Sequence, residues 1–236
     1  MCFLSICRIE DGLVITHNRD ESVNRPLAQG PQEMQLGKHT IIAPLDVQSG
    51  GTWIASTKNE TLAILNGGRE NHIKKPNYLS SRGKLIANYF KSNLDYEVYL
   101  DAINYSDYEP FTLIRVCYDD FQIIETIWDG KQNSINKKTL RSEAVVYSSA
   151  TLYSAKIRYE RNTYFNSCFE EAKSVENIFE LHNKAGENLG TNFRVTLNEH
   201  IKTVSIYQIS INEIIKIRYK DFLTNKFLMI DSRLSA

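Results

Sequence analysis

Cys2-Phe3-Leu4-Ser5-Ile6-Cys7-Arg8-Ile9, then Glu10-Asp11-Gly12, then Leu13-Val14-Ile15-Thr16-His17-Asn18-Arg19 is the stretch that decides the fold. Both flanking runs are rich in Ile, Leu, Val and Phe and have the length of strands. A three-residue loop with Gly in the left-handed position joins such strands as a hairpin. The first strand is apolar on two faces, Leu4 and Ile6 on one and Phe3, Cys7 and Ile9 on the other. A strand of that kind must be covered twice, by a second sheet and by helices. The expected fold class is α+β, a four-layer α-β-β-α sandwich of antiparallel sheets.

The three-residue loop fixes a register in which paired residue numbers sum to 22, so that Leu4 faces Asn18 and Cys2 faces Asp20. Opposed residues share a face with Cβ atoms ~5 Å apart, which puts Asp20 beside the Cys2 amine. A two-residue turn pairing Cys2 with Glu21 would turn Asp20 to the other face. The pairing matters because Cys2 follows the initiator methionine. Once Met1 is removed, Cys2 carries a thiol and a free α-amine that titrate near ~8.5 and ~8, so proton transfer between them needs little driving force. A carboxylate at Asp20 would hold and orient that amine. The plain alternative is that Cys2 is a small apolar strand residue.

At 236 residues and 42% hydrophobic content, the chain is long enough for a substantial core and is expected to form one domain over 1–236. Twenty-eight basic residues balance 28 acidic ones, and no basic run points to nucleic acid. No apolar run reaches ~18 residues, so no membrane span is expected. The N-terminal segment meets Arg8, Glu10 and Asp11 too early for a secretory signal, which leaves the cytoplasm as the expected location. The four cysteines and five histidines lack metal-ligand spacing, and no phosphate-binding glycine motif occurs. No metal or cofactor is expected; the expected partner is a small-molecule substrate or ligand. Oligomeric state has no signal in the sequence.

Beyond the hairpin, Ser22 to Gly51 reads as a long connection forming a wall or lid, with one strand at His39 to Ala43. Gly50-Gly51-Thr52-Trp53-Ile54 starts a strand, and Thr61 to Leu65 is the next, stopping at Asn66-Gly67-Gly68-Arg69. Helical periodicity covers Ser80 to Ser92, Tyr96 to Ile103, Ser154 to Ala172 and Val175 to Lys184. Strands are expected at Phe111 to Tyr118, Phe121 to Trp128, Ala144 to Ser148, Phe193 to Leu197, Thr203 to Ile209 and Ile214 to Lys220.

Taken together, Met1-Cys2, Asn18-Arg19-Asp20-Glu21, Gly50-Gly51-Thr52-Trp53 and the strand end at Asn66 resemble the NRDE family, the transport and Golgi organisation protein 2 homologues. That family is similar to the cysteine branch of the N-terminal-nucleophile hydrolases, which includes bile-salt hydrolases and penicillin V acylases. The resemblance implies the four-layer fold and attack on a linear amide. It assigns Cys2 as nucleophile, Asp20 as the acid holding its amine and Asn66 as an oxyanion donor; Asn66 also reads as a turn residue before Gly67. Asn18, Arg19, Trp53, Arg69, Ser149 and Arg158 follow as supporting or substrate-binding positions. In the expected register Arg19 points away from Cys2 and pairs with Glu21, and Arg25, Arg69 and Arg82 form a dispersed positive set.

The second half departs from the family pattern. Tyr147-Ser148-Ser149-Ala150-Thr151-Leu152-Tyr153 stands where relatives carry an asparagine, and Ser149 would replace that donor. Arg158 or Arg161 resembles the late arginine of the cysteine branch, although a helix surface accounts for either. The expected activity is a hydrolase or acyltransferase acting on an amide bond. The alternative is a non-catalytic carrier of a lipid or haem-like ligand on the same fold, with no haem-attachment motif to support haem itself.

Overall fold

The computed structural model describes residues 2–10, 12–76, 78–141, 143–212 and 214–232. Its elements in chain order are β1 (Cys2–Ile9), β2 (Gly12–Ser22), β3 (Gln29–Leu36), β4 (His39–Leu45), β5 (Ile54–Ser56), β6 (Glu60–Asn66), α1 (Lys84–Ser92), α2 (Tyr96–Ala102), β7 (Phe111–Cys117), β8 (Gln122–Trp128), β9 (Asn133–Thr139), β10 (Ala144–Ser148), α3 (Ala155–Phe169), α4 (Val175–Asn183), β11 (Ile201–Ile211), β12 (Ile215–Asp221) and β13 (Lys226–Ser232). Two units divide the chain: one holds the residues up to Arg25 and those from Leu140 through β13, the other holds Pro26–Thr139.

The first unit is built on a six-stranded antiparallel sheet in the order β10-β1-β2-β11-β12-β13. Its central strands β1, β2 and β11 are almost wholly buried, and the buried part of β2 includes the polar run Thr16 to Asp20. Phe3, Cys7, Ile9 and Val14 form one face and pack with Phe165 and Phe169 of α3, Ile178 of α4, and Phe193. Both helices start on a serine cap, Ser154 accepting from the Ile157 amide and Ser174 from the Asn177 amide. The buried stripe of α3 is Arg161, Phe165 and Phe169, an i, i+4, i+8 row that includes a cation.

The second unit is a seven-stranded antiparallel meander in sequential order from β3 to β9. Leu85, Ile86, Tyr89 and Phe90 make the buried stripe of α1, and α1 ends on Asn93 in the left-handed conformation. The Ser22–Gly51 stretch is therefore largely a hairpin, β3 paired with β4, rather than a lid. Pro31 is tolerated because β3 is an edge strand with a register irregularity between Gln29 and Gln32. Phe193 to Leu197, expected as a strand, makes only isolated bridges through Arg194 and Thr196.

Candidate active site

The β1–β2 register corrects the expected one. Cys2 is paired with Arg19, Phe3 with Asn18, Leu4 with His17 and Ile9 with Gly12, so paired numbers sum to one less than expected. Gly12 is already inside the strand, and the loop shortens to Glu10 and Asp11, the latter outside the described residues. Gly12 is a glycine for another reason: at φ +135°, a Cβ there would stand 2.1 Å from the carbonyl oxygen of Ile211 on β11. Because side chains alternate, Cys2, Arg19 and His17 share one face, while Asp20, Asn18 and Phe3 share the helix-covered face.

Cys2 is 3% exposed, and its carbonyl accepts a 2.9 Å hydrogen bond from the Ser149 amide, which ties the head of β1 to the end of β10. Burial holds the Cys2 thiol above its ordinary pKa; the negative charge of Asp20 adds to that, and the positive charge of Arg19 opposes it. Arg19 is thus the side chain directly across from the thiol, not one that points away. It does form the expected pair with Glu21, at 3.8 Å, and Glu21 also meets Arg25 at 3.8 Å.

Asp20 is fully buried and held at both oxygens. Tyr153 Oη donates to Oδ2 and Thr203 Oγ1 to Oδ1, each at 2.7 Å. Burial raises its carboxyl above the usual range, against the pull of Thr203, of Arg161 and of Tyr153. Arg161 belongs to no helix surface. It is wholly buried, with Cζ 4.3 Å from the Tyr153 ring centre, 4.6 Å from Phe3 and 4.9 Å from Phe193, and Nη1 donates to the carbonyls of Leu189 and Asn192. Arg158 is half-buried in the first turns of the same helix.

Asn18 has a structural explanation that its motif position did not reveal. Its amide nitrogen donates to the carbonyls of His182 (3.0 Å) and Phe193 (2.8 Å), so its oxygen must accept from His182 Nδ1 at 2.7 Å. That leaves His182 Nε2 to accept from the Ser5 hydroxyl at 2.7 Å. All three side chains are sealed beneath Phe3, Phe165 and Phe193, and burial holds His182 uncharged. This Ser-His-Asn chain pins β1, β2 and α4 together. His182 gave no sequence signal beyond its place in a helical stripe.

Ser149 is buried at the end of β10, its hydroxyl 3.0 Å from that of Thr151. The remaining positions belong to the second unit. Trp53 is buried just before β5 and its carbonyl accepts from the Ile64 amide. Asn66 ends β6 opposite Phe111, followed by Gly67 at φ +89°. Arg69 donates to Ser134 on β9, and Arg82 is paired with Glu109 at 2.8 Å. Cys7 is an inert core thiol, pushed up to about 12 by burial. Among the described residues no group of three His, Cys, Asp or Glu is arranged to hold a metal ion, and no helix is long and apolar enough to cross a membrane.

Comparison with known proteins gives this geometry a context. Penicillin V acylase from Agrobacterium tumefaciens is similar in structure over 98% of this chain and 86% of its own, with a TM-score of 0.61 at 10% sequence identity. At that identity the likeness is one of fold, the α+β fold of the N-terminal-nucleophile hydrolases. No curated protein sequence matches the chain. A family model described as Transport and Golgi organisation 2 matches residues 1–224, a span that contains the Asn18-Arg19-Asp20-Glu21 stretch and all the side chains around Cys2, so the chain belongs to the Transport and Golgi organisation 2 family.

Proposed function

We propose that the protein is an amide-directed hydrolase or acyltransferase whose nucleophile is Cys2 after removal of Met1. The observation that supports this reading is the place of Asp20, one residue beyond the partner of Cys2 on β2. A liberated Cys2 amine would point there, toward a carboxylate already fixed by Tyr153 and Thr203. The acid need not share the thiol's face, because its target is a main-chain nitrogen at the plane of the sheet.

In this reading the α-amine takes the thiol proton, and the sulfur attacks the amide carbonyl while Arg19 favours the thiolate. The resulting ammonium then protonates the departing amine, leaving a thioester on Cys2 that passes to water or to an acceptor amine. An oxyanion role for Asn66 rests on the family resemblance alone. The fold likeness to an acylase supports the class of reaction, and the substrate follows from neither.

The test is covalent. An electrophilic acyl probe should add one acyl group to the Cys2 peptide of the mature protein, and Cys2→Ala should lose the label. Labelling that survives in Cys2→Ala, or an intact mass that retains methionine, would end this reading. Ligand carriage is the second reading, favoured by a thiol that is 3% exposed and held above its ordinary pKa. It predicts ligand retention that Cys2→Ala does not change.

A further inference from the structure

The outer strands of the two sheets are β3, β9, β10 and β13, and three of them carry features that keep a further strand away. β3 holds Pro31 and a register irregularity. β9 carries Lys137 and Lys138. β10 is only five residues long and mostly half-buried. β13 differs from all three: it is seven residues long, and its register with β12, its sole strand neighbour among the described residues, is unbroken. Its middle is Phe227-Leu228-Met229, three consecutive apolar side chains at 51%, 40% and 60% exposure. Single apolar side chains on a surface are ordinary, but a run of three along an unpaired row of backbone N–H and C=O groups is a template for one more strand. β13 also lies beyond residues 1–224, the span that the family model matches.

The charges and the order of side chains say which strand fits. Lys226 lies across from Asp221 of β12, and Asp231 across from Lys216, so the edge bears no net charge that would repel its own kind. An antiparallel copy brings the Lys226 end of each strand to the Asp231 end of the other, whereas a parallel copy would set lysine beside lysine. In an antiparallel pair related by a two-fold axis normal to the sheet, the axis passes through a residue that meets itself. Placed at Leu228, the axis sets Phe227 of each copy against Met229 of the other, an aromatic–thioether contact. That contact falls on the face where Phe227 already meets Phe179 of α4, with ring centres 6.2 Å apart. Placed at Met229, the axis would instead set Asp231 against Phe227.

We infer that β13 is a self-association edge, at which two copies of the chain pair antiparallel about Leu228 and join their first-unit sheets into one. Because the other three edges are blunted, the assembly closes at two copies. A contact made by one strand pair is small, which sets the dissociation constant on the order of 10 µM. The inference is independent of the chemistry at Cys2.

Sedimentation equilibrium of the full chain over about 1–200 µM tests it. The wild-type mass should rise from one copy to two across that range and go no higher. Leu228→Lys and Leu228→Glu each set like charges against one another at the axis, and each should weaken association at least about tenfold. Mixed in equal amounts the two variants should recover the dimer, because the introduced lysine then meets the introduced glutamate. Met229→Lys, which puts a charge against Phe227 of the second copy, should also weaken the dimer and serves if a Leu228 variant fails to fold. A wild-type chain that stays monomeric, assemblies larger than two, or a dimer that these variants leave intact overturns the inference. A dimer lost in both Leu228 variants and not recovered in their mixture overturns the pairing about Leu228.

Discussion

On the helix-covered face of the β1–β2 hairpin, Ser5, Asn18 and His182 bond one another and two backbone carbonyls, and Asp20 is held at both oxygens; on the opposite face His17 is just as buried, and neither of its ring nitrogens has a hydrogen-bond partner among the described residues. The same pair of strands therefore carries a connected chain of polar side chains on one side and an imidazole outside any such chain on the other. Polar groups that complete one another stabilise the fold. Buried polar groups outside such a chain cost stability.

The largest effect should come from unbalancing the satisfied face. Arg161→Met removes the guanidinium that faces the buried Asp20 and should cost about 3–5 kcal/mol in urea unfolding, with Asp20→Asn in the same chain recovering part of it. A recovery of nothing would mean that Arg161 acts through its aromatic contacts alone. Exchanging the two histidines for leucine is the sharpest contrast. His182→Leu strands Asn18 and Ser5 and should lose about 2–3 kcal/mol, whereas His17→Leu should be neutral or stabilising. Equal losses would erase the distinction between the faces.

Acid provides a third probe. Burial and Arg19 push His17 down to about 3, below the ~6.5 of an unfolded chain. The unfolded state therefore binds a proton first, and stability present above about pH 6.5 is lost as pH falls toward 3. At pH 5.5 this loss is about 1.4 kcal/mol, and it should be absent from His17→Leu when the two unfolding curves are compared with those at pH 7.5. The smallest effect concerns the thiol. Arg19→Gln removes a charge that favours the Cys2 thiolate, so the pH profile of Cys2 alkylation by iodoacetamide should move up.

Much of the architecture was legible because apolar pattern dominates it. The two-faced β1, the stripe of α1 and the bounds of β10 all follow from residue periodicity. Edge strands were harder to read. β9, with Lys137 and Lys138, has no apolar alternation to betray it, and β3 hides behind Gly30-Pro31. The pairing of β1 with β2 was not legible. Gly12 looked like a loop glycine, and only the close passage of β11, two hundred residues later in the chain, explains why it sits in a strand. The choice between Arg158 and Arg161 was open in sequence, since only the folded chain stacks the Arg161 guanidinium among rings and leaves Arg158 half-buried. His17 and His182 look alike in a sequence; their difference is made by partners distant along the chain.

Gly12 lies at the far end of the hairpin from Cys2, yet it decides which neighbour the sulfur meets. Any side chain there would drive into the Ile211 carbonyl, and a strand that slid by one step to escape would present Asp20 in place of Arg19, exchanging a cation for an anion beside the Cys2 thiol. Replacement of Gly12 should thus change the surroundings of a thiol at the other end of the hairpin, and its variants should show altered Cys2 alkylation before they show unfolding.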